Sequence, residues 1–385
     1  MPVLHLIDGH SPQACATTLA LLAESFGHPR AGPQRLLILG PTALRRAAAS
    51  AGIPLDRTDA VLSVGVPGGR ALAGYFTARR RLPDLLAGDR VDLVHCWSLG
   101  ALCLATLLFR DTPRVLTVTA DPQPSGLRWL RSLARAGPRG LALLPISATL
   151  RRTLLGAGIP EPLIHVLAPG IDLGRASSAD RTLLRQRWGA TDPQIRIVAL
   201  LSDPPHAADS LDAILAVNLA AESQRAGGYE LRLLIHPEQR HRRRAQNVAA
   251  ALGHPQRIVV EEALAQPWEV LAGCDLALAQ GPHAGGLSLR WALAAGAGIV
   301  ADATDPVSEA VEDHHGALLA KPGSAKALAH RMTQMLADPA LAYRLRDTAR
   351  NEAYRSFSRQ RYVEALQGVY EPLAAGRPVA VAAPA

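Results

Sequence analysis

The sequence predicts two α/β domains, each a doubly wound parallel sheet, and three observations carry that prediction. Short aliphatic runs without strict alternation recur along the chain, as strands covered on both faces require. Stretches of helical periodicity separate them, the pattern of strand–helix–strand crossovers. The chain has 385 residues, and a single core rarely grows past about 250–300, so two cores are expected.

In the first half the strands are read at residues 3–7, 36–39, 60–64, 92–95, 115–119, 141–144 and 164–167. Helices are read between them at 17–26, 44–51, 71–86, 99–109 and 150–156. The second half repeats the scheme, with strands at 195–200, 231–235, 258–260, 276–279, 298–301 and 317–319. Its helices are read at 211–226, 243–252, 267–273, 288–295 and 326–336, and two final helices at 343–354 and 358–373. The expected division is a first Rossmann-like domain over 1–172, a second over 173–356, a helix over 357–374 returning to the first, and a disordered tail over 375–385. In open parallel sheets ligands sit beyond the carboxyl ends of the strands, so two such sheets are expected to face each other across a ligand cleft.

Composition narrows the function classes. Hydrophobic residues are 48% and charged residues 19%, which excludes a disordered chain. Cys15, Cys96, Cys103 and Cys274 are far apart, without metal-site spacing. A disulfide framework and a structural zinc are therefore not expected, and a reducing compartment is. The segment MPVLHLIDGH has no basic region before an apolar run and does not read as a signal peptide. The apolar run at 99–109 is shorter than the roughly 20 residues a spanning helix needs. A cytoplasmic protein is expected, with the inner face of the membrane as its one peripheral location.

The net charge is +8, and residues 1–175 carry all of it, with 19 Arg against 11 Asp and Glu. Such a surface suits anionic partners. Only Lys321 and Lys326 are lysines, so a genome-wide bias to arginine accounts for the asymmetry equally well. The segment from Leu127 to Arg135 reads as a short basic amphipathic helix, either a membrane-surface element or an ordinary helix with its Leu and Trp turned to the core. Arg240–Arg244 reads as a solvated helix start; with few aromatics nearby no nucleic acid is expected.

The strand ends carry a resemblance. Glu269 to Ala279, then Gly285-Gly286 through Trp291 to Gly296, then Ser308-Glu309, then Gly316 to Ala329 follow one another in order. Upstream stand Asp92 to His95, Pro145-Ile146-Ser147 and Ala168 to Asp172. In this order the segments resemble the family-four retaining glycosyltransferases along nearly the whole chain. The resemblance implies the two-domain glycosyltransferase-B fold and a nucleotide-sugar donor held by the second domain. It also implies an acceptor on the first domain, retention of anomeric configuration and no bound metal or other cofactor.

The site residues depart from the family pattern. Two family glutamates hold the donor sugar and ribose, and the matching positions are His283 and Trp291. The family's diphosphate-binding Arg and Lys are absent from the segment holding Asp203 and His206, and a glycine-rich turn has become His236-Pro237-Glu238. Charge develops on the leaving diphosphate, so fixed donors must be aimed there. Gly285 and Gly286 open a helix whose backbone N–H groups suit an anion, with Arg290 one turn away as a substitute cation. His206, His236 and His283 are replacement donors or polar loop residues. Trp291 either stacks on a base or fills space between helix and sheet. Glu309 either contacts a ligand hydroxyl or answers a helix dipole. On the acceptor side stand His95, Thr119 and Asp121.

These residues lead to transfer of a sugar from a nucleotide-sugar to an unknown acceptor, lipid-linked or polysaccharide. The missing carboxylates and cations make a catalytically inactive relative, acting as a binding or scaffold partner, the alternative. An epimerase on the same fold, using the histidines as acid and base, is the third reading.

Overall fold

The structure is a computed structural model. It describes residues 1–8, 16–25, 33–39, 48–49, 53, 61–64, 80, 86, 90–137, 140–175, 179–201, 210–223, 228–235, 242–261, 270–281 and 284–379. The chain divides into two compact units, Met1–Gly170 with Arg359–Ala385, and Ile171–Ser358.

The first unit holds β1 (Val3–Asp8), α1 (Ala16–Ser25), β2 (Gln34–Leu39), β3 (Val61–Val64), β4 (Leu93–Cys96), α2 (Leu99–Leu108), β5 (Arg114–Val118), α3 (Pro124–Arg135), β6 (Leu141–Pro145) and α4 (Ala148–Gly156). Its six strands are ordered β3-β2-β1-β4-β5-β6 and all pair in parallel. The strand order reverses beside β1, the position where such sheets open a crevice at their carboxyl edge. β4, β5 and β6 are buried at every residue, which is why they read as unbroken apolar runs. Ser98 and Ser147 cap α2 and α4 by accepting the amides of Ala101 and Leu150. The run expected as a strand at 164–167 lies beside β6, bonded through His165 and Leu167 amides, but forms only one isolated bridge, at Ile164.

The second unit opens with α5 (Arg181–Arg187), a helix the sequence reading left out. It is short and rich in arginine, so it carries little apolar periodicity. Asp180 caps it, and Arg181 and Arg185 reach Asp275 at 2.8 and 3.0 Å. The unit continues through β7 (Ile195–Leu201), α6 (Ser210–Ser223), β8 (Glu230–Ile235), α7 (Arg242–Ala251), β9 (Ile258–Val260), β10 (Leu276–Ala279) and α8 (Leu287–Ala295). β11 (Gly298–Asp302), α9 (Asp305–Ser308), β12 (Glu312–Asp313), β13 (Gly316–Ala320), α10 (Ala325–Ala337) and α11 (Pro339–Ser356) complete it. The strand order is β12-β13-β11-β10-β7-β8-β9. One sheet face, with Val198, Leu200, Leu276, Leu278, Val300 and Leu318, packs on α6 and α10. Of the helix expected at 267–273, residues 271–273 form a single 3-10 turn and 267–269 lie outside the described residues.

The last helix, α12 (Arg359–Ala374), belongs to the first unit. Tyr362, Leu366, Val369, Tyr370 and Leu373 enter that unit's core. Arg359 donates to the carbonyl of Glu24 at 2.6 Å. Gly170 lets this packing happen, since a Cβ there would meet the Tyr362 Cβ at 2.4 Å. Of the tail expected to be disordered, Val379 packs half-buried on the same core, and residues 380–385 lie outside the described ones.

Candidate functional site

In the second unit the chemistry-bearing residues gather where β10 and β11 end. Gly281 turns the chain at φ +89°, a conformation glycine adopts without strain. Four residues later Gly285 touches the next loop so closely that a Cβ would sit 2.1 Å from the Pro306 carbonyl oxygen. Gly286 is the N-cap of α8, and no side chain among the described residues caps that terminus. The peptide dipoles of that terminus favour negative charge.

Arg290 does not play the part expected of it. Its Nη1 donates to the carbonyls of Gly285 and Gly286 at 2.9 and 3.1 Å, and its Cζ lies 5.1 Å from the centre of the Phe357 ring. The side chain is 3% exposed. It therefore holds the glycine turn from beneath instead of offering a guanidinium to an anion. Trp291 is fully buried, so it fills space between helix and sheet and presents no face for a base. Glu309 is exposed at the C-cap of α9 and within the last turn, not at a helix start.

Three polar residues at this edge escaped the sequence reading. Gln280 and Asp302 stand one position beyond the last β10–β11 pair, Ala279 with Ala301, and so project on one face. The Asp302 Oδ2 accepts the Gly281 amide at 2.9 Å, and Thr304 follows as the N-cap of α9 without capping it. Asp302 is 1% exposed and Gln280 7%. Burial raises the Asp302 carboxyl above the usual carboxylate range; the amides of Gly281 and Gly323 counter this and Asp212 reinforces it. Asp302 Oδ1, Gln280 Oε1 and Thr304 Oγ1 are buried without a hydrogen-bond partner among the described residues. The available signal was a polar residue ending an aliphatic run, in LALAQ and GIVAD.

In the first unit His95 is a strand residue, not an edge residue, and it is fully buried. Its Nδ1 meets the Tyr370 hydroxyl at 2.5 Å and its Nε2 the Thr117 hydroxyl at 2.7 Å. Its ring stacks on Trp97 at 4.3 Å, and Trp97 donates its indole N–H to His5 Nδ1 at 3.1 Å. Burial holds His5 neutral down to about pH 3, and burial with the nearby His5 lowers His95 well below its usual value. The expectation of an acceptor contact at His95 is corrected: both ring nitrogens are spent inside the core. Thr119 is half-buried just past β5, and exposed Asp121 accepts from the Thr153 hydroxyl at 3.1 Å. The structure does not bring these two to His95 by any hydrogen bond among the described residues.

The basic helix α3 turns Leu130 and Ala134 into the core and half-buries Leu127, Trp129 and Leu133 against it. Asp203, His206, His236 and His283 lie outside the described residues. Among the described residues no three His, Cys, Asp or Glu side chains converge as metal ligands, and no helix is long and apolar enough to cross a membrane.

Comparison with known proteins gives a consistent pattern. Residues 35–175 match the family model for Glycosyltransferase Family 4, and residues 213–352 match that for Glycosyl transferases group 1. A solved Anabaena protein, Alr3699/HepE in complex with UDP and glucose, is 18% identical; the match covers 96% of this chain and 99% of that one, with a TM-score of 0.75. A glycosyltransferase from Rickettsia africae is 15% identical over 97% and 98% of the two chains, with a TM-score of 0.73. A UDP-GlcNAc 2-epimerase from Neisseria meningitidis is 12% identical over 95% and 99%, with a TM-score of 0.62. These likenesses establish the fold. Among curated protein sequences none matches.

Proposed function

The chain belongs to the family-four-like glycosyltransferases of the glycosyltransferase-B fold, and on that premise we propose that it transfers a sugar from a nucleotide-sugar donor to an acceptor. The second unit holds the donor and the first receives the acceptor. The observation that carries the reading is the glycine turn at the carboxyl edge of the second sheet. Gly285 is pressed on Pro306, and Gly286 opens α8 without a side-chain cap among the described residues. Arg290 fixes both carbonyls. A turn held this way keeps helix N–H dipoles in one place, and fixed dipoles stabilise a departing diphosphate without rearrangement.

Asp203, His206, His236 and His283 are the donor-side residues that complete the reading, in place of the family's Arg, Lys and Glu. Glu309, exposed at the C-cap of α9, is the carboxylate offered to a ligand hydroxyl. Thr119 and Asp121 at the end of β5 are the acceptor-side groups. Arg128, Arg131 and Arg135 on α3 have no carboxylate partner among the described residues, which suits a lipid-linked or anionic polysaccharide acceptor. The donor is a substrate, and the reading requires no resident cofactor.

Thermal unfolding with UDP, GDP, ADP, TDP and their sugar conjugates tests the proposal. A ligand at 100 times its Kd stabilises by about 2.7 kcal/mol. One nucleotide series is expected to raise Tm. A well-folded sample that responds to none at millimolar concentration favours the inactive relative, and a conjugate converted without transfer favours the epimerase.

A further inference from the structure

Gln280 Oε1, Asp302 Oδ1 and Thr304 Oγ1, at and just past the ends of β10 and β11, are buried without a hydrogen-bond partner among the described residues. We propose that Gln280, Asp302 and Thr304 form a subsite for the hydroxyl groups of the bound donor's sugar or ribose ring. The inference rests on the donor-site reading and deepens it.

Position is the first argument. Gln280 and Asp302 sit side by side past Ala279 and Ala301, at the carboxyl edge where open parallel sheets bind ligands. They continue the face that carries Leu278 and Val300 against α6 and α10. The Gly323 amide, just before α10, and Asp212, in the first turn of α6, both act on Asp302. Asp302 is also paired with Ala320 of β13, so its backbone is fixed on that side.

Chemistry selects the ligand. The oxygens concerned are one carboxylate Oδ1, one amide Oε1 and one hydroxyl. No guanidinium or ammonium bonds to any of them among the described residues. The amide oxygen, and the carboxylate when ionised, are acceptors only, so the group they bind must donate. A phosphate oxygen would meet acceptor against acceptor beside a carboxylate. An apolar group would leave all three unsatisfied. Ring hydroxyls donate, and a vicinal pair spaces two donors as neighbouring side chains on adjacent strands space two acceptors. Orientation is preset, because the Gly281 amide already holds Oδ2 and aims Oδ1. Buried polar atoms without partners are uncommon and call for a ligand, a water or a functional role.

The test uses the full chain with Gln280→Leu and Thr304→Val, both close in volume to the native residue. Affinities are measured for UDP, 2′,3′-dideoxy-UDP and UDP-glucose, and for the guanosine and adenosine counterparts. Both variants are expected to keep the wild-type Tm or exceed it, since each removes a buried unpartnered oxygen. Each is expected to weaken the ring-bearing ligand about tenfold, the value of one hydrogen bond. A loss confined to the sugar conjugate, with the bare diphosphate unchanged, places the sugar here. A loss on the diphosphate, absent for its dideoxy analogue, places the ribose. Unchanged affinities in both variants overturn the subsite and leave the donor reading standing. A fall in Tm that accounts for the affinity loss in both variants also overturns it. A wild-type protein that binds none of the probes overturns the donor reading, and the subsite with it.

Discussion

Both units are parallel sheets with polar side chains buried among aliphatic ones, yet they use those side chains differently. In the first unit His5, His95, Trp97, Thr117 and Tyr370 lie within the strands and the last helix and bond to one another. In the second, Gln280, Asp302 and Thr304 lie at the strand ends, and each keeps one buried oxygen unpartnered among the described residues. The first arrangement spends its hydrogen bonds on holding α12 to the sheet. The second leaves them unspent at the edge where ligands bind. Burial alone therefore does not distinguish architecture from site; position at the carboxyl ends of the strands does.

Four measurements break or sharpen that contrast. The largest effect is expected from His95→Ala, which strands the buried hydroxyls of Thr117 and Tyr370 and opens a cavity. A loss of about 4 kcal/mol in urea unfolding is expected. Hydrogen exchange should rise in β4, β5 and α12 while the second unit stays protected. Equal loss of protection in both units would show that the network is not local to the first.

Arg290→Ala comes next, at about 3 kcal/mol, because two carbonyls lose a charged donor and the Phe357 ring loses its cation. Exchange should rise around residues 284–295, and nucleotide affinity should fall through the disordered turn. Arg290→Lys tests the same point, since an ammonium cannot reproduce the planar fork. Full rescue by lysine would return Arg290 to the role of a simple charge.

Acid should act on the first unit with a defined sign. His5 and His95 are held neutral in the folded chain, with folded values below the ordinary 6.5. The unfolded chain takes up protons below that pH and the folded chain does not. Stability is then fully present above about pH 6.5 and falls as pH drops, towards about 3 for His5. The slope approaches about 1.4 kcal/mol per pH unit for each histidine, so roughly 2 kcal/mol is lost on going from pH 6.5 to 5.5. Urea midpoints across that range check it, with His5→Phe expected to flatten the slope.

The smallest effect carries the opposite sign and belongs to the second unit. The Asp302 carboxyl is raised, so the folded chain holds its proton at a pH where the unfolded chain has released it. Its contribution falls as pH rises from the ordinary carboxylate value through the folded one. Asp302→Asn is expected to raise Tm slightly at pH 7 and to leave it unchanged at pH 3. A lower Tm at pH 7 would show that the Gly281 contact needs the full charge.

Much of the fold was legible because its cause is local. Aliphatic runs such as those of β4, β5 and β7 are buried on both faces, and that burial wrote the runs. The Gly285-Gly286 turn was legible because only glycine tolerates the contact with Pro306. α5 was not, because its stability comes from Arg181 and Arg185 reaching Asp275, about 90 residues away.

The sequence by itself therefore determined the two-sheet architecture, the order of elements and the edge at which ligands are to be sought. Periodicity and turn chemistry act between near neighbours and survive in a string of letters. Tertiary structure alone decided what each side chain does there. It turned Arg290 onto the Gly285 and Gly286 carbonyls and enclosed Trp291. It closed His95 against Tyr370, 275 positions away. It left Asp302 Oδ1 without a hydrogen-bond partner among the described residues. A side chain's role follows from which partners reach it and how much water is excluded, and both are fixed only when distant segments pack together.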